Sequence, residues 1–351
     1  MKTMKAAVLE NYRIFSWQEV PRPTVGECDV LIQVTHAGIC GSDMHIYNGD
    51  FYPRTRIPMI PGHEFTGIVA DIGPKVGTVS RGEKVVVDPI IWCGKCAPCQ
   101  IGRYPACTKL KLIGVDVNGG FAEYVSVKER MLYKLPENIT SRHAALIEVY
   151  SIGFHAIKRA GLQENDTVAI WGTGRIGHSL LQAARTRTNN TIFCIDIIES
   201  RLQMAKMAYP DIITINATKK DPVACIQEET NGRGVDVAFE AVGHARVIPE
   251  RPNPVRGCIQ CIRGTGMVCV LGLGEIPAPI LLKELIWKEA SIVASRVNQG
   301  EFSEVIQHLA AGNLKPGTFI SREMSGPETQ IAFDLLEKEP EKYLKILIKI
   351  F

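Results

Sequence analysis

Four cysteines fall within fifteen residues, in the pattern Cys93-x-x-Cys96-x-x-Cys99-x7-Cys107. Gly94, Pro98, Gly102 and Pro105 punctuate the run, so its backbone reads as a loop able to wrap an ion. Four thiolates at tetrahedral positions, each about 2.3 Å from the metal, are what a closed structural zinc site takes. A nucleic-acid-binding zinc ribbon would use two well-separated pairs, and Lys95, Arg103, Lys109 and Lys111 are expected to form only a solvated face.

A second set is sparser. Cys40-Gly41-Ser42-Asp43-Met44-His45 and Gly62-His63-Glu64 place a cysteine and a histidine twenty-three residues apart, each beside glycine. A thiolate and an imidazole are two of the three protein ligands of an open, catalytic zinc, the third being a carboxylate or a second sulfur. By residue type alone, each is more simply a core residue.

A third feature concerns phosphate. The apolar run Thr167 to Trp171 leads directly into Gly172-Thr173-Gly174-Arg175-Ile176-Gly177, with a helical pattern behind it. A second apolar run ends at Asp196, nineteen residues after Gly177. That context turns a weak glycine motif into a dinucleotide fingerprint: Gly172 for the tight turn, Gly174 for close approach of amides to pyrophosphate, Gly177 for helix against strand. The helix N-terminus then faces the phosphates. Asp196 is placed to accept from the ribose hydroxyls and favours NAD over NADP, an effect that nearby Arg201 partly offsets.

These residues need two kinds of scaffold. Short β-type runs broken by Gly and Pro (Lys5 to Leu9, Val30 to Val34, Gly67 to Ile72, Lys84 to Val87, Phe121 to Val127) predict an irregular β-rich domain over the first 150 residues or so. Helix is expected from Ser141 to Gly161. From Asp166 strands and helices alternate (strands 167–171, 192–195, 235–239 and 267–271; helices 176–186 and 200–207), the pattern of a parallel sheet covered on both faces. After Glu289 the alternation is expected to stop, with helices at 302–311 and 329–338 and a last apolar strand at 344–350 returning to the first domain.

The 351 residues suit two domains, and 46% apolar with 22% charged residues is a globular composition. A net charge of +3 without a run of five basic residues excludes an evident nucleic-acid or membrane-surface patch. No segment approaches the ~18 apolar residues of a membrane span, and the first residues lack a signal-peptide core, so the cytoplasm is the expected location. Cys258-x-x-Cys261 reads as core packing.

The runs Gly38 to Asp43 and Pro61 to Glu64, the four-cysteine lobe, Gly119-Gly120-Phe121-Ala122-Glu123-Tyr124 and the glycine loop together resemble the zinc-containing medium-chain dehydrogenases, in identity and order, over nearly the whole chain. Within that superfamily the polyol, sugar-acid and threonine dehydrogenase branch is the most similar. The resemblance implies an α/β fold with a GroES-like β-rich catalytic domain (1–150), a Rossmann doubly wound parallel sheet (151–290) and a C-terminal return (291–351). It implies one structural and one catalytic zinc per subunit, NAD, a small hydroxylated substrate, no nucleic acid or membrane partner, and a homotetramer. Cys40 and His63 would be catalytic zinc ligands, with Glu64 a ligand that exchanges with water. Glu148 stands where simple alcohol dehydrogenases have a cysteine ligand, and would bind the zinc or relay protons. Ser42 would take the alcohol proton, His45 would pass it to solvent, and Arg296 would hold a substrate carboxylate or hydroxyls.

The chain departs from the family at Arg175, where proline is common, and in the segment His244 to Gly257, which looks longer. The expected reaction is oxidation of a secondary hydroxyl in a polyol or sugar acid, with L-threonine 3-dehydrogenase as the alternative. A non-catalytic zinc- and nucleotide-binding regulator is the rival from another class; retention of Ser42 and His45 argues against it, because a sensor needs no proton relay.

Overall fold

Runs of β-branched residues with small or turn-forming residues between them dominate the first third of the chain, and most of them join one sheet. The computed structural model describes residues 2–243, 253–274 and 277–351. The chain divides into two units: Met1–Glu148 with Phe302–Gly312 and Ile320–Phe351, and Val149–Glu301 with Asn313–Phe319.

In the first unit, the strand Asp29–Gly38 organises a seven-stranded sheet. It pairs antiparallel with Glu64–Ile72, while its opening residues pair with Tyr124–Lys128 and its last three with Ile346–Lys349. The C-terminal strand is therefore built into the sheet, and Arg322–Ser325 runs parallel to it on the far side. Side chains Val30, Ile32, Val34, Phe65, Val69, Val85 and Phe121 fill the core beneath. A hairpin, Thr3–Asn11 with Ile14–Pro21, precedes these strands.

Helix Gly41–Asn48 starts at Cys40, directly after the Asp29–Gly38 strand, and was hidden in the sequence by its polar composition. It is anchored by Tyr47, whose ring packs against Phe15 and Phe333 with centroids 5.8 and 5.1 Å away. The Tyr47 hydroxyl donates to Asp334 (3.0 Å) and accepts from Gln330 (2.9 Å), both on the C-terminal helix Thr329–Lys338.

The second unit carries a six-stranded, all-parallel sheet in the order Ile213–Asn216, Ile192–Asp196, Val168–Trp171, Val235–Glu240, Ile262–Val270, Ser291–Ala294. Three central strands are buried at every residue, as expected of parallel strands covered on both faces. The structure corrects two expectations. The helix read as continuous from Ser141 is two, Ser141–Ala144 and Ile147–Ala160. The alternation does not stop at Glu289: Ser291–Ala294 adds a sixth strand, inconspicuous because an edge strand of four residues needs no apolar run. Of the segment from His244 to Gly257, the part before Asn253 lies outside the described residues; Asn253 caps helix Pro254–Cys261. Cys258 and Cys261 are buried on that helix, and burial pushes both thiols up, Cys261 to about 12, which suits packing rather than reactivity.

Candidate active site

The turn from strand to helix places Cys40 at a helix start, and the register of the neighbouring strand places His63 and Glu64 beside it. One ligand atom each from Cys40, His63 and Glu64 lies within 4.8 Å of the others, and all three residues are buried. Ser42, in the first turn of helix Gly41–Asn48, puts its Oγ 3.3 Å from Nε2 of His63. Glycines let the backbone close on this spot. A Cβ on Gly114 or Gly119 would come within 2.3 or 2.2 Å of the Gly62 carbonyl, so the Gly119-Gly120-Phe121 run seats the loop that carries His63.

Asp43 is fully buried and organises the cluster. One oxygen accepts from the Cys40 amide at 2.8 Å, and the other lies 3.4 Å from Nδ1 of His63. Burial works against a protonated His63, yet the charges of Asp43 and Cys40 hold its pKa well above the usual imidazole value. The site therefore attracts a cation. Glu64 is equally buried; one carboxylate oxygen accepts from Lys345 Nζ, and the other has no hydrogen-bond partner among the described residues. Lys345, itself 0% exposed, also donates to the Ile39 carbonyl at 3.1 Å.

Glu148 is not one of the three clustered ligands. It is buried, and burial pushes its carboxyl up to about 8, with His63 and Lys345 opposing and Glu64 and Asp88 adding to the effect. His45 bonds Asp50 through Nδ1 (2.8 Å), stacks on Phe51 with centroids 5.4 Å apart, and is partly solvent-exposed.

In the lobe the four sulfurs of Cys93, Cys96, Cys99 and Cys107 also converge. Cys96 and Cys99 are 3.4 Å apart, Cys93 and Cys107 3.6 Å, Cys93 and Cys99 4.0 Å. Zinc–sulfur bonds of about 2.3 Å in a tetrahedron demand sulfur separations of about 3.8 Å, so the spacing suits that ion. Backbone amides of Lys95 and Lys109 point at Cys93 and Cys107, and those of Thr108 and Cys99 lower the Cys96 thiol to about 6. Burial and the neighbouring thiols push Cys99 up to about 12.

In the second unit, Gly172 has a left-handed φ of 91°, and a Cβ on Gly177 would approach the Gly172 carbonyl to 1.9 Å. Helix Arg175–Arg187 begins at once, with Gly174 as its cap and no acid in its first turn. Ile176 is half-buried there. Asp196 closes its strand, but its carboxylate is directed at the protein: one oxygen accepts from the Thr173 amide and hydroxyl (2.7 and 3.0 Å), the other from the amides of Ile197 and Ile198 (2.7 and 2.9 Å). Arg201 lies 3.9 Å from Asp196. Arg296 is exposed, just past the edge strand Ser291–Ala294 in the same unit.

Residues 26–137 match the alcohol dehydrogenase GroES-like domain and residues 176–311 the zinc-binding dehydrogenase family. Similar proteins include the starvation-sensing protein RspB of Escherichia coli K12 (32% identical over 98% of this chain and 99% of that one) and the sorbitol dehydrogenase of Bacillus subtilis (31%; 99% and 97%). Another is the L-threonine 3-dehydrogenase of Bacillus velezensis (32%; 95% of each). The chain belongs to the zinc-containing medium-chain alcohol dehydrogenase superfamily. Its place is in the polyol and threonine dehydrogenase branch of these oxidoreductases. A solved short chain alcohol dehydrogenase (rspB) from E. coli CFT073, complexed with cofactor NADH, superposes with a TM-score of 0.91 at 30% identity, covering all of both chains.

For a dehydrogenase of this superfamily, both donor sets fit zinc. The lobe offers four thiolates; the Cys40 cluster offers sulfur, nitrogen and oxygen, with an unpartnered Glu64 oxygen and a His63 whose Nδ1 faces Asp43, the usual support of a metal-bound histidine. Two contributors escaped the sequence reading. Asp43 lies between Cys40 and His45 without a ligand spacing of its own, and Lys345 is one of two cations, with Lys349, in the apolar run Leu344 to Ile350, so nothing local marks it as the buried one.

Two outcomes follow. Cys99→Ser should remove one zinc per chain by elemental analysis and lower the melting temperature by roughly 5 to 10 °C, as a loss of about 2 to 3 kcal/mol does in domains of this size; unchanged zinc content would contradict the lobe assignment. Glu148 concerns the metal-free protein. Its folded pKa of about 8 lies above its unfolded value, so between pH ~4.5 and 8 the unfolded chain ionises first and stability falls as pH rises. Denaturant melts in chelator at pH 5 and pH 8 should therefore show a smaller drop for Glu148→Gln than for the natural chain.

Proposed function

We propose that the protein is a zinc-dependent, NAD-linked dehydrogenase that oxidises a secondary hydroxyl of a polyol or sugar acid. The observation that carries this reading is the buried meeting of Cys40, His63 and Glu64 with the Ser42 hydroxyl 3.3 Å from the histidine. When bound, zinc supplies a Lewis acid that brings a substrate hydroxyl's pKa toward neutrality, and the nicotinamide supplies the hydride acceptor. Cys40 and His63 hold the metal, with Glu64 or Glu148 as the third protein ligand. Asp43 fixes the His63 ring. Lys345 draws Glu64 to one side by one oxygen and leaves the other for exchange. Ser42 Oγ receives the proton leaving the substrate; His45, tethered by Asp50 and open to solvent, delivers it to water. The second unit binds NAD on Gly172, Gly174, Arg175, Ile176 and Gly177, with Asp196 and Arg201 at the adenosine end, and Arg296 contacts substrate.

L-threonine 3-dehydrogenase activity is the alternative within the class, supported by the threonine dehydrogenase relatives. The starvation-sensing relative keeps the regulatory reading as the second. A homotetramer is the proposed assembly. It is supported by the edge strand Ser291–Ala294, which lies in a belt of exposed apolar residues including Leu282, Ile286 (74% exposed) and Trp287 (78%). Among the described residues no helix is long and apolar enough to cross a membrane, and none of the eleven cysteines is in a disulfide, which supports the cytoplasm.

A panel of polyols, sugar acids, threonine and simple alcohols, followed by NAD reduction, tests the reading. Turnover should fall on polyols or sugar acids; Cys40→Ala should abolish it while NADH still binds, and Ser42→Ala should lower kcat by about 10² to 10⁴. No turnover on any compound, with both zincs present, would favour the regulatory reading. Sedimentation of Trp287→Asp should reveal a species smaller than the natural chain; an unchanged assembly would remove this belt from the interface.

A further inference from the structure

The turn that follows helix Gly41–Asn48 holds the His45 ring by an edge and by a face. The helix ends at Gly49, whose left-handed φ of 89° folds the chain back, so that the Asp50 amide donates to the His45 carbonyl at 2.9 Å. The same turn brings an Asp50 carboxylate oxygen to 2.8 Å from Nδ1 of His45. It also lays the Phe51 ring on the imidazole, with centroids 5.4 Å apart and planes 10° apart. The turn is itself anchored. Arg54 donates twice to Asp116, at 3.0 and 2.8 Å, with its guanidinium 5.9 Å from the centre of the Phe51 ring. The buried Thr55 hydroxyl donates to the Val115 carbonyl at 3.0 Å.

A carboxylate only accepts hydrogen bonds, so Nδ1 of His45 carries a hydrogen and the lone pair of the neutral ring is on Nε2. A proton carrier has to load and unload through one nitrogen held in one place, and an imidazole attached to the helix alone would exchange its tautomers and turn about its side-chain bonds. We propose that Asp50 is a positioning residue for proton exit: it keeps His45 in the tautomer with hydrogen on Nδ1, so that Nε2 takes the proton arriving from Ser42 and gives it to water. This rests on the relay reading of Ser42 and His45 above. Nε2 gains one proton and loses one; the Nδ1 hydrogen stays with Asp50 throughout, and the charge on the ring meanwhile faces the Asp50 carboxylate.

Nitrogen-15 NMR of histidine-labelled protein at pH ~9, above the usual imidazole range, reads the tautomer, with the His45 signals identified by their loss in His45→Ala. The natural chain and Asp50→Glu should show hydrogen on Nδ1, and Asp50→Ala a mixture of the two tautomers. Turnover is then followed on whichever compound of the panel above reacts fastest. Asp50→Ala should lower kcat roughly tenfold with little change in KM, the scale on which a functional histidine suffers from losing its hydrogen-bonded partner. Asp50→Glu should restore most of that loss. Added imidazole should speed both Asp50→Ala and His45→Ala, which a packing defect would not allow. Hydrogen on Nε2 in the natural chain overturns the proposal, as does an Asp50→Ala protein, folded by circular dichroism, that keeps the natural tautomer or the natural kcat. Full turnover by His45→Ala would instead overturn the relay reading.

Discussion

Buried negative charge is the constraint on which the first unit depends. Cys40, Asp43, Glu64 and Glu148 all lie inside it, and acidic groups persist in a low-dielectric interior only against cations or by keeping their protons. The protein uses both solutions. Glu148 keeps its proton to about pH 8, Lys345 pairs with Glu64, His63 faces Asp43, and the remaining demand for positive charge falls on the space among Cys40, His63 and Glu64. Lys345, immediately before the C-terminal strand Ile346–Lys349, is the buried counter-ion that the pairing of this strand with Asp29–Gly38 brings to Glu64.

The two units handle charge in opposite senses. The first gathers acidic groups around the cluster of Cys40, His63 and Glu64. The second places a helix N-terminus behind the glycine loop and ties up the carboxylate beside it, Asp196, with four hydrogen bonds. A metal-assisted hydride transfer between an alcohol and a dinucleotide needs one site of each kind.

Much of this was legible in the sequence because it is local. The lobe's thiolates, the glycine loop and the buried parallel strands announce themselves by spacing, punctuation and apolar runs. What stayed hidden is long-range or compositionally quiet. Nothing near Lys345 in sequence reveals a partner 281 residues away. Helix Gly41–Asn48 lacks an apolar stripe because one aromatic residue, Tyr47, anchors it against the C-terminal helix. Strand Ser291–Ala294 is short and exposed, which is what an edge allows. Asp196 was legible as an acid at a strand end, but the direction of its carboxylate depends on the backbone of Thr173, Ile197 and Ile198.

Two different donor sets, the Cys93 lobe and the Cys40 cluster, are proposed to hold zinc in one chain. Zinc K-edge absorption on protein saturated with zinc, with the ions per chain counted by elemental analysis, tests this directly. Four lobe thiolates and Cys40, shared over two ions, should give between two and three sulfurs per zinc together with nitrogen or oxygen scatterers. A shell of four sulfurs alone, with only one zinc bound per chain at saturation, would contradict it.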